Sequence, residues 1–304
     1  MHALINDGEP FRHVEHEDVG LSRRDLREAM SCGSLVRVFD RVYRDALAPD
    51  SPRARVAAAR LVVPEHAVAS DETAAWLWGV DAHRPSDRHR VTPRWVVPHG
   101  SSRSRLEGID CRQALLMPDD VVEVDGLAVT RPVRTAADLL RKQYRPHALA
   151  SADALARVGA INPMEVRAYL ADLTGYRGIR QARVLAQYID PKAASAGESW
   201  LRLRIIDAGF PRPESQLEVV DAAGVRRYLD LGYRHRKVGI EYDGRQFHTV
   251  DPDVVHDEGR RHQIEAIGFI VVVVRYEDVF GTDARFEHEL GEILGVRPIP
   301  RWWT

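Results

Sequence analysis

The stretch "RRYLDLGYRHRKVGIEYDG", residues 226–244, decides how the C-terminal third of the chain is read. It consists of two strand-like runs, "RRYLDLGY" and "KVGIEYDG", joined by a basic turn. Each run carries acid among apolar residues. Asp230 lies between Leu229 and Leu231, Glu241 follows Ile240, and Asp243 comes two residues later. An unpaired buried carboxylate is costly unless something compensates its charge. On adjacent antiparallel strands Asp230 and Glu241 point into one cleft. A divalent cation is the simplest compensator there, and hard oxygen ligands suit Mg²⁺ or Mn²⁺.

The flanking sequence supplies a sheet for these strands. "SAGESWLRLRIIDAGF", 195–210, reads as a helix that ends at Gly209, and "SQLEVVD", 215–221, as a strand. "DPDVVHDEGRRHQIEAIG", 251–268, is a second helix, "FIVVVVRY", 269–276, a very apolar strand, and "DARFEHELGEIL", 283–294, a last helix. Hairpin-linked strands followed by a helical crossover imply a mixed sheet with helices on its faces. Glu198 on the first helix can reach the cleft of Asp230 and Glu241. Three carboxylates around a hard metal form a phosphodiester-cleaving arrangement, in which the metal polarises phosphate and activates water. Structural readings stand beside these. Ser195-x-x-Glu198 fits a capping box. Asp230 and Glu241 can pair with Arg226, Arg227 or Arg275. Asp243-Gly244 can open a turn, and His248 can be a surface histidine.

The chain has 304 residues and a formal charge of −2, so it is not a uniformly basic nucleic-acid binder. Any such surface must be local. Lysines number only Lys142, Lys192 and Lys237; the other basic side chains are arginines. The two cysteines, Cys32 and Cys111, have neither metal nor disulfide spacing, which suggests a reducing cytosol. "MHALINDGEP" lacks a signal-peptide core, and the run 269–274 is too short for a bilayer. A cytoplasmic protein without membrane association is expected.

Near the N-terminus, "GLSRRDLREAMSCGSLVRVFDRVYRDA", 20–46, predicts a helix capped by Ser22 and ended by Gly33, then a hairpin turning at Asp40-Arg41. Helix followed by hairpin is the back half of a winged helix. Arg23, Arg24, Arg27, Arg37, Arg41 and Arg44 make it a candidate DNA-backbone contact, or else a solvated arginine-rich face. The middle section predicts helices over 54–63 and 72–80, a strand over 94–100, and a hairpin about Asp125-Gly126. A helix is expected over 132–142 and further helices to about 188. No catalytic constellation is visible in it. The small, polar "DPKAASAGES", 190–199, suggests a boundary. The expected architecture is therefore a multi-domain α/β protein. It comprises a winged-helix-like module (1–50), an α+β middle domain (51–190) and a C-terminal αβββαβα mixed sheet (191–304). The tail "RPIPRWWT" is expected to dock on its own domain or to stack on bases or a partner.

Two resemblances follow from these motifs. Residues 190–295, with "YLDLGY … VGIEYDGRQFH … DEGRRHQIEAIGFIVVVVRYEDV", resemble the PD-(D/E)XK nuclease superfamily, in the branch related to very-short-patch repair endonucleases. The resemblance implies a restriction-endonuclease-like fold and a Mg²⁺- or Mn²⁺-dependent endodeoxyribonuclease, in DNA repair or phage defence. Asp230, Glu241, Asp243 and His248 would be catalytic, and Glu198, Asp230 and Glu241 would hold the metal. Asp257, Arg260 and Arg275 would give phosphate or structural support. The superfamily's usual lysine is replaced by Asp243, which leaves open an inert nuclease fold. The segments "LSRRDLREAMSCGSLVRVFDRVYR", "ASDETAAWLWGV" and "LAVTRPVRTAADLL" resemble abortive-infection type IV antitoxins. That likeness implies operator DNA, autoregulation and a cognate toxin as partner.

Overall fold

The computed structural model describes residues 4–83, 91–103, 108–244, 253–300 and 303, and for 253–258 the backbone alone. The chain divides into two units, Met1–Arg141 with Ala160–Tyr176, and Lys142–Gly159 with Arg177–Thr304. Its class is mixed α/β, with eleven α-helices and three sheets among the described residues.

In the first unit Ser22 caps α1 (Arg23–Ser31). Its hydroxyl accepts the Asp25 N–H at 3.2 Å, and the Asp25 carboxylate accepts the Ser22 N–H at 3.0 Å. Strands β2 (Leu35–Phe39) and β3 (Val42–Asp45) form the expected hairpin, and Arg41 at its turn takes a positive φ of 61°. Strand β1 (Phe11–Arg12) completes a sheet of order β1-β3-β2. Phe11, Leu26, Leu35 and Tyr43 are its core.

Helix α2 (Pro52–Arg60), β4 (Val68–Ala69) and α3 (Asp71–Leu77) lead to β5 (Arg94–Pro98) and β6 (Asp110–Ala114). Strands β7 (Val121–Val124) and β8 (Leu127–Thr130) turn at Asp125 and Gly126, both at positive φ (47° and 74°), as a two-residue primed turn requires. The five-stranded sheet has the order β6-β5-β4-β8-β7, and Trp95 is fully buried in its core. Helix α4 (Pro132–Lys142) carries a buried polar network. Arg134 donates to Asp120 at 2.5 Å and to Asp138 at 3.1 Å, and Tyr169 donates to Asp120 at 2.7 Å.

Helix α5 (Arg145–Arg157) belongs to the second unit, whereas α6 (Pro163–Asp172) belongs to the first. The second unit continues with α7 (Ile179–Leu185), α8 (Ala196–Asp207), β9 (Glu214–Val220), β10 (Arg226–Tyr233) and β11 (Val238–Asp243). Then come α9 (Asp253–Glu265), β12 (Ile270–Arg275), α10 (Tyr276–Phe280) and α11 (Arg285–Leu294). Helix, three strands, helix, strand and helices follow one another in the order expected from the sequence. The sheet order is β12-β11-β10-β9, with β9, β10 and β11 antiparallel and β12 parallel to β11 after the α9 crossover. Leu201, Ile205, Leu231, Ile240, Val272 and Leu290 pack its core.

Two fully buried arginines fix α8. Arg202 donates to Asp153 on α5 at 2.5 Å and to the Tyr188 carbonyl at 2.6 Å. Arg204 binds both Glu287 oxygens at 3.0 and 2.7 Å and the carbonyls of Asp278, Val279, Gly281 and Asp283. Such buried charges are tolerated because each guanidinium meets a carboxylate and at least one backbone carbonyl. The tail docks on its own unit through Trp303, which is buried, donates to Asp207 at 2.5 Å and lies edge-on to Tyr144.

Candidate functional site

Two clusters hold the side chains singled out in the sequence. On α1, burial of Leu26 turns Arg23, Arg24 and Arg27 outward, and all three are exposed, as is Arg41 at the hairpin turn. The acid Asp25 is occupied by the helix cap. The other two arginines behave differently. Arg37 is half-buried with its guanidinium over the Tyr43 ring, 5.9 Å from the centroid, and Arg44 donates to the Ala48 carbonyl. Of the six candidates, four are exposed and two are drawn into packing. Stems of long basic side chains cover apolar surface readily, which the sequence pattern does not reveal.

The second cluster lies at one end of the mixed sheet. The β10–β11 register pairs Leu231 with Ile240, and continuing it by one position sets Asp230 opposite Glu241 on the same face. The Asp230 carboxylate accepts the Tyr242 backbone N–H at 2.8 Å. Burial, with Glu198 and Glu241 nearby, pushes Asp230 up from 3.8 to about 6 against the opposing pull of the Tyr242 N–H and Arg260. Glu241 is buried and engaged by two guanidinium groups. Arg260 on α9 donates to Oε1 at 2.6 Å, and Arg261 Nε lies 3.4 Å from Oε2. Tyr242, Asp243, Gly244 and Val273 complete a cleft of about 470 Å³.

Glu198 sits at the third position of α8 and serves the helix start. Ser195 Oγ accepts its N–H at 3.1 Å, and its own Oε2 accepts from the Ala194 N–H at 2.9 Å and the Gln216 amide at 3.1 Å. Ser195 thus caps the helix, but the Glu198 carboxylate reaches back to Ala194 and does not close the capping box on Ser195, while its charge still reaches Asp230. Asp243 and Arg275 share a register position on β11 and β12. Arg275 contributes its backbone N–H to Asp278 at 3.1 Å. Asp257 lies on α9 where only the backbone is described, and His248 lies outside the described residues.

Whether these carboxylates fit a divalent cation follows from their partners. Both Glu241 oxygens face guanidinium groups, and one Glu198 oxygen is occupied by capping. Among the described residues no group of three or more His, Cys, Asp or Glu side chains is arranged to hold a metal ion. Asp230 and Glu241 line one cleft, and the Glu198 charge acts on Asp230. Sequence reasoning also passed over three residues here. Arg261 was signalled only by its place beside Arg260. Gln216 breaks the β9 ladder at a positive φ of 51°. Gly197 is required because a Cβ would overlap the Tyr242 ring.

A helix–hairpin module joined to a five-stranded domain, with a mixed sheet in the second unit, defines a multi-domain α/β protein. Residues 66–188 match the family described as the AbiEi antitoxin C-terminal domain. Over 259 residues the chain is 31% identical to the uncharacterized protein MT2308 of Mycobacterium tuberculosis strain CDC 1551 / Oshkosh. It is equally similar to the uncharacterized protein Rv2248 of strain ATCC 25618 / H37Rv. The alignment covers 85% of this chain and 92% of each relative, and the chain belongs to the family these proteins form. The crystal structure of the RV2827C protein from Mycobacterium tuberculosis overlaps 64% of this chain and 75% of its own, with 12% identity and a TM-score of 0.32. That overlap is too shallow to carry an argument. No helix among the described residues is long and apolar enough to cross a membrane.

Proposed function

We propose that this protein is an antitoxin-like, DNA-binding transcriptional regulator that acts with a cognate toxin encoded beside it. The match of residues 66–188 to the AbiEi antitoxin C-terminal domain carries the reading. The exposed arginines of α1 and the hairpin turn support it. A helix with exposed Arg23, Arg24 and Arg27, followed by a hairpin whose turn carries the exposed Arg41, offers side chains suited to duplex-backbone contact by helix and wing. The experiment is binding of the full chain to DNA from upstream of its own gene. Saturable binding that an Arg23→Ala, Arg24→Ala double variant weakens at least tenfold is expected. Binding indifferent to those changes sinks the reading.

One observation favours a second reading, a metal-dependent DNA endonuclease built on Asp230, Glu241, Asp243 and His248 with Mg²⁺ or Mn²⁺. It is the Asp230 carboxyl, pushed up to about 6 beside two further acids. The engagement of Glu241 by Arg260 and Arg261 opposes it, and with the usual lysine absent the inert-fold form fits the antitoxin reading better. Mn²⁺-dependent cleavage of plasmid DNA that disappears in an Asp230→Ala, Glu241→Ala variant would establish this second reading; no cleavage with either metal would remove it.

A further inference from the structure

The loop between β10 and β11 has no part in either reading. Four basic residues, Arg234, His235, Arg236 and Lys237, follow one another there, and all four are exposed. The Tyr233–Val238 pair closes the loop. It precedes β11, whose far end carries the cleft residues Asp243 and Gly244, about 16 Å along the strand at about 3.3 Å per residue.

Both flanks of the loop are fastened. Lys237 takes a left-handed conformation (φ 51°, ψ 45°), where glycine or asparagine is the less strained choice. Its Nζ donates to the Ile267 carbonyl, just past the end of α9, at 2.9 Å, and its N–H donates to the Arg234 carbonyl at 3.1 Å. On the other flank Arg234 donates to the Glu218 carbonyl of β9 at 2.9 Å and lies 3.5 Å from the Glu214 carboxylate. His235 and Arg236, between these anchors, make no hydrogen bond or ion pair among the described residues. The loop therefore presents an imidazole and a guanidinium on a base that is already ordered, which lowers the entropy cost of binding through them.

We propose that this loop contacts the phosphate backbone of duplex DNA without regard to sequence. Arg236 supplies a guanidinium, whose fork matches phosphate oxygens, and His235 supplies a ring N–H. The loop contains no acidic and no apolar side chain. Protein–protein contacts are centred on aromatic and apolar anchors, so a wholly basic tip suits a polyanion rather than a protein surface. The contact is separate from α1 and from the Arg41 turn, and it does not rest on recognition of upstream DNA.

The test is an NMR titration of the full chain with a short duplex of unrelated sequence, run in parallel on wild type and on the Arg23→Ala, Arg24→Ala chain. The backbone amides of His235 and Arg236 and the Arg236 Nε–H are expected to shift in both. A His235→Ala, Arg236→Ala variant should bind that duplex about tenfold more weakly at about 0.05 M salt, the weight of one phosphate contact under a slope of about −0.9. The resonances read the wild-type chain, so a poorly folded variant does not decide the matter. Loop resonances that stay in place overturn the proposal, as does an affinity that a folded loop variant keeps. Neither outcome touches the regulator reading, which upstream DNA decides. Poly-L-glutamate that moves the same resonances at equal affinity also overturns it, because the loop would then be a site for an acidic protein.

Discussion

Replacing Asp230 by Asn should stabilise the protein at neutral pH, the opposite of what loss of a buried hydrogen-bonded residue ordinarily does. Burial and the nearby Glu198 and Glu241 hold the Asp230 carboxyl at about 6 rather than 3.8. A carboxyl whose proton is bound more tightly in the folded state contributes its stability at low pH. That contribution is lost as pH rises through the folded value. At about 1.4 kcal/mol per tenfold change in proton affinity, the raised Asp230 removes at most about 3 kcal/mol between acid and neutral pH. The group is half-buried, and solvent screening reduces the expected effect to about 1–3 kcal/mol. Asn keeps an acceptor for the Tyr242 N–H, so the hydrogen bond survives while the charge goes. Urea denaturation of wild type and Asp230→Asn, followed through the second unit, is the assay. The variant's advantage should be near zero below about pH 4 and largest above about pH 6.5. An advantage independent of pH, or a variant less stable at neutral pH, would refute the reasoning.

Three further outcomes follow from the packing. Arg204→Met leaves Glu287 charged and buried and strands four carbonyls, so it should cost about 3–5 kcal/mol; an Arg204→Met, Glu287→Leu double variant, measured in the same denaturation series, should recover most of that loss. Gly197→Ala puts a Cβ into the Tyr242 ring and should destabilise by about 1–3 kcal/mol, whereas Gly224→Ala should cost less, since nothing lies within 4 Å there and only its φ of 80° opposes the change. Arg260→Ala removes the 2.6 Å guanidinium contact to the buried Glu241 carboxylate and should destabilise the second unit by about 1–3 kcal/mol in the same denaturation series.

The strands of the second unit were readable because β9 alternates, β12 is one apolar run, and hairpins and a crossover leave few ways to order four strands. The juxtaposition of Asp230 and Glu241 was readable for the same reason: register follows once the turn between 233 and 238 is placed. What compensates their charge was not. Arg260 and Arg261 arrive from a helix some twenty residues later in the chain, and no spacing rule distinguishes a guanidinium from a metal as the partner of Glu241. Strand β4 spans two residues, and β6, "DCRQA", is too polar to show a strand period, so both were missed. The arginines of 23–44 looked equivalent in the sequence, yet Arg37 and Arg44 lie over a ring and a carbonyl while the α1 arginines face solvent.

The salt dependence of binding to upstream DNA tests the regulator most directly. Each phosphate neutralised contributes about −0.9 to the slope of log affinity against log salt concentration. Arg23, Arg24, Arg27 and Arg41 are exposed, so a slope of about −3 to −4 is predicted, falling in magnitude by about 2 in the Arg23→Ala, Arg24→Ala variant. A slope that the two substitutions leave unchanged would contradict the account, because the charge that holds the duplex would then lie elsewhere.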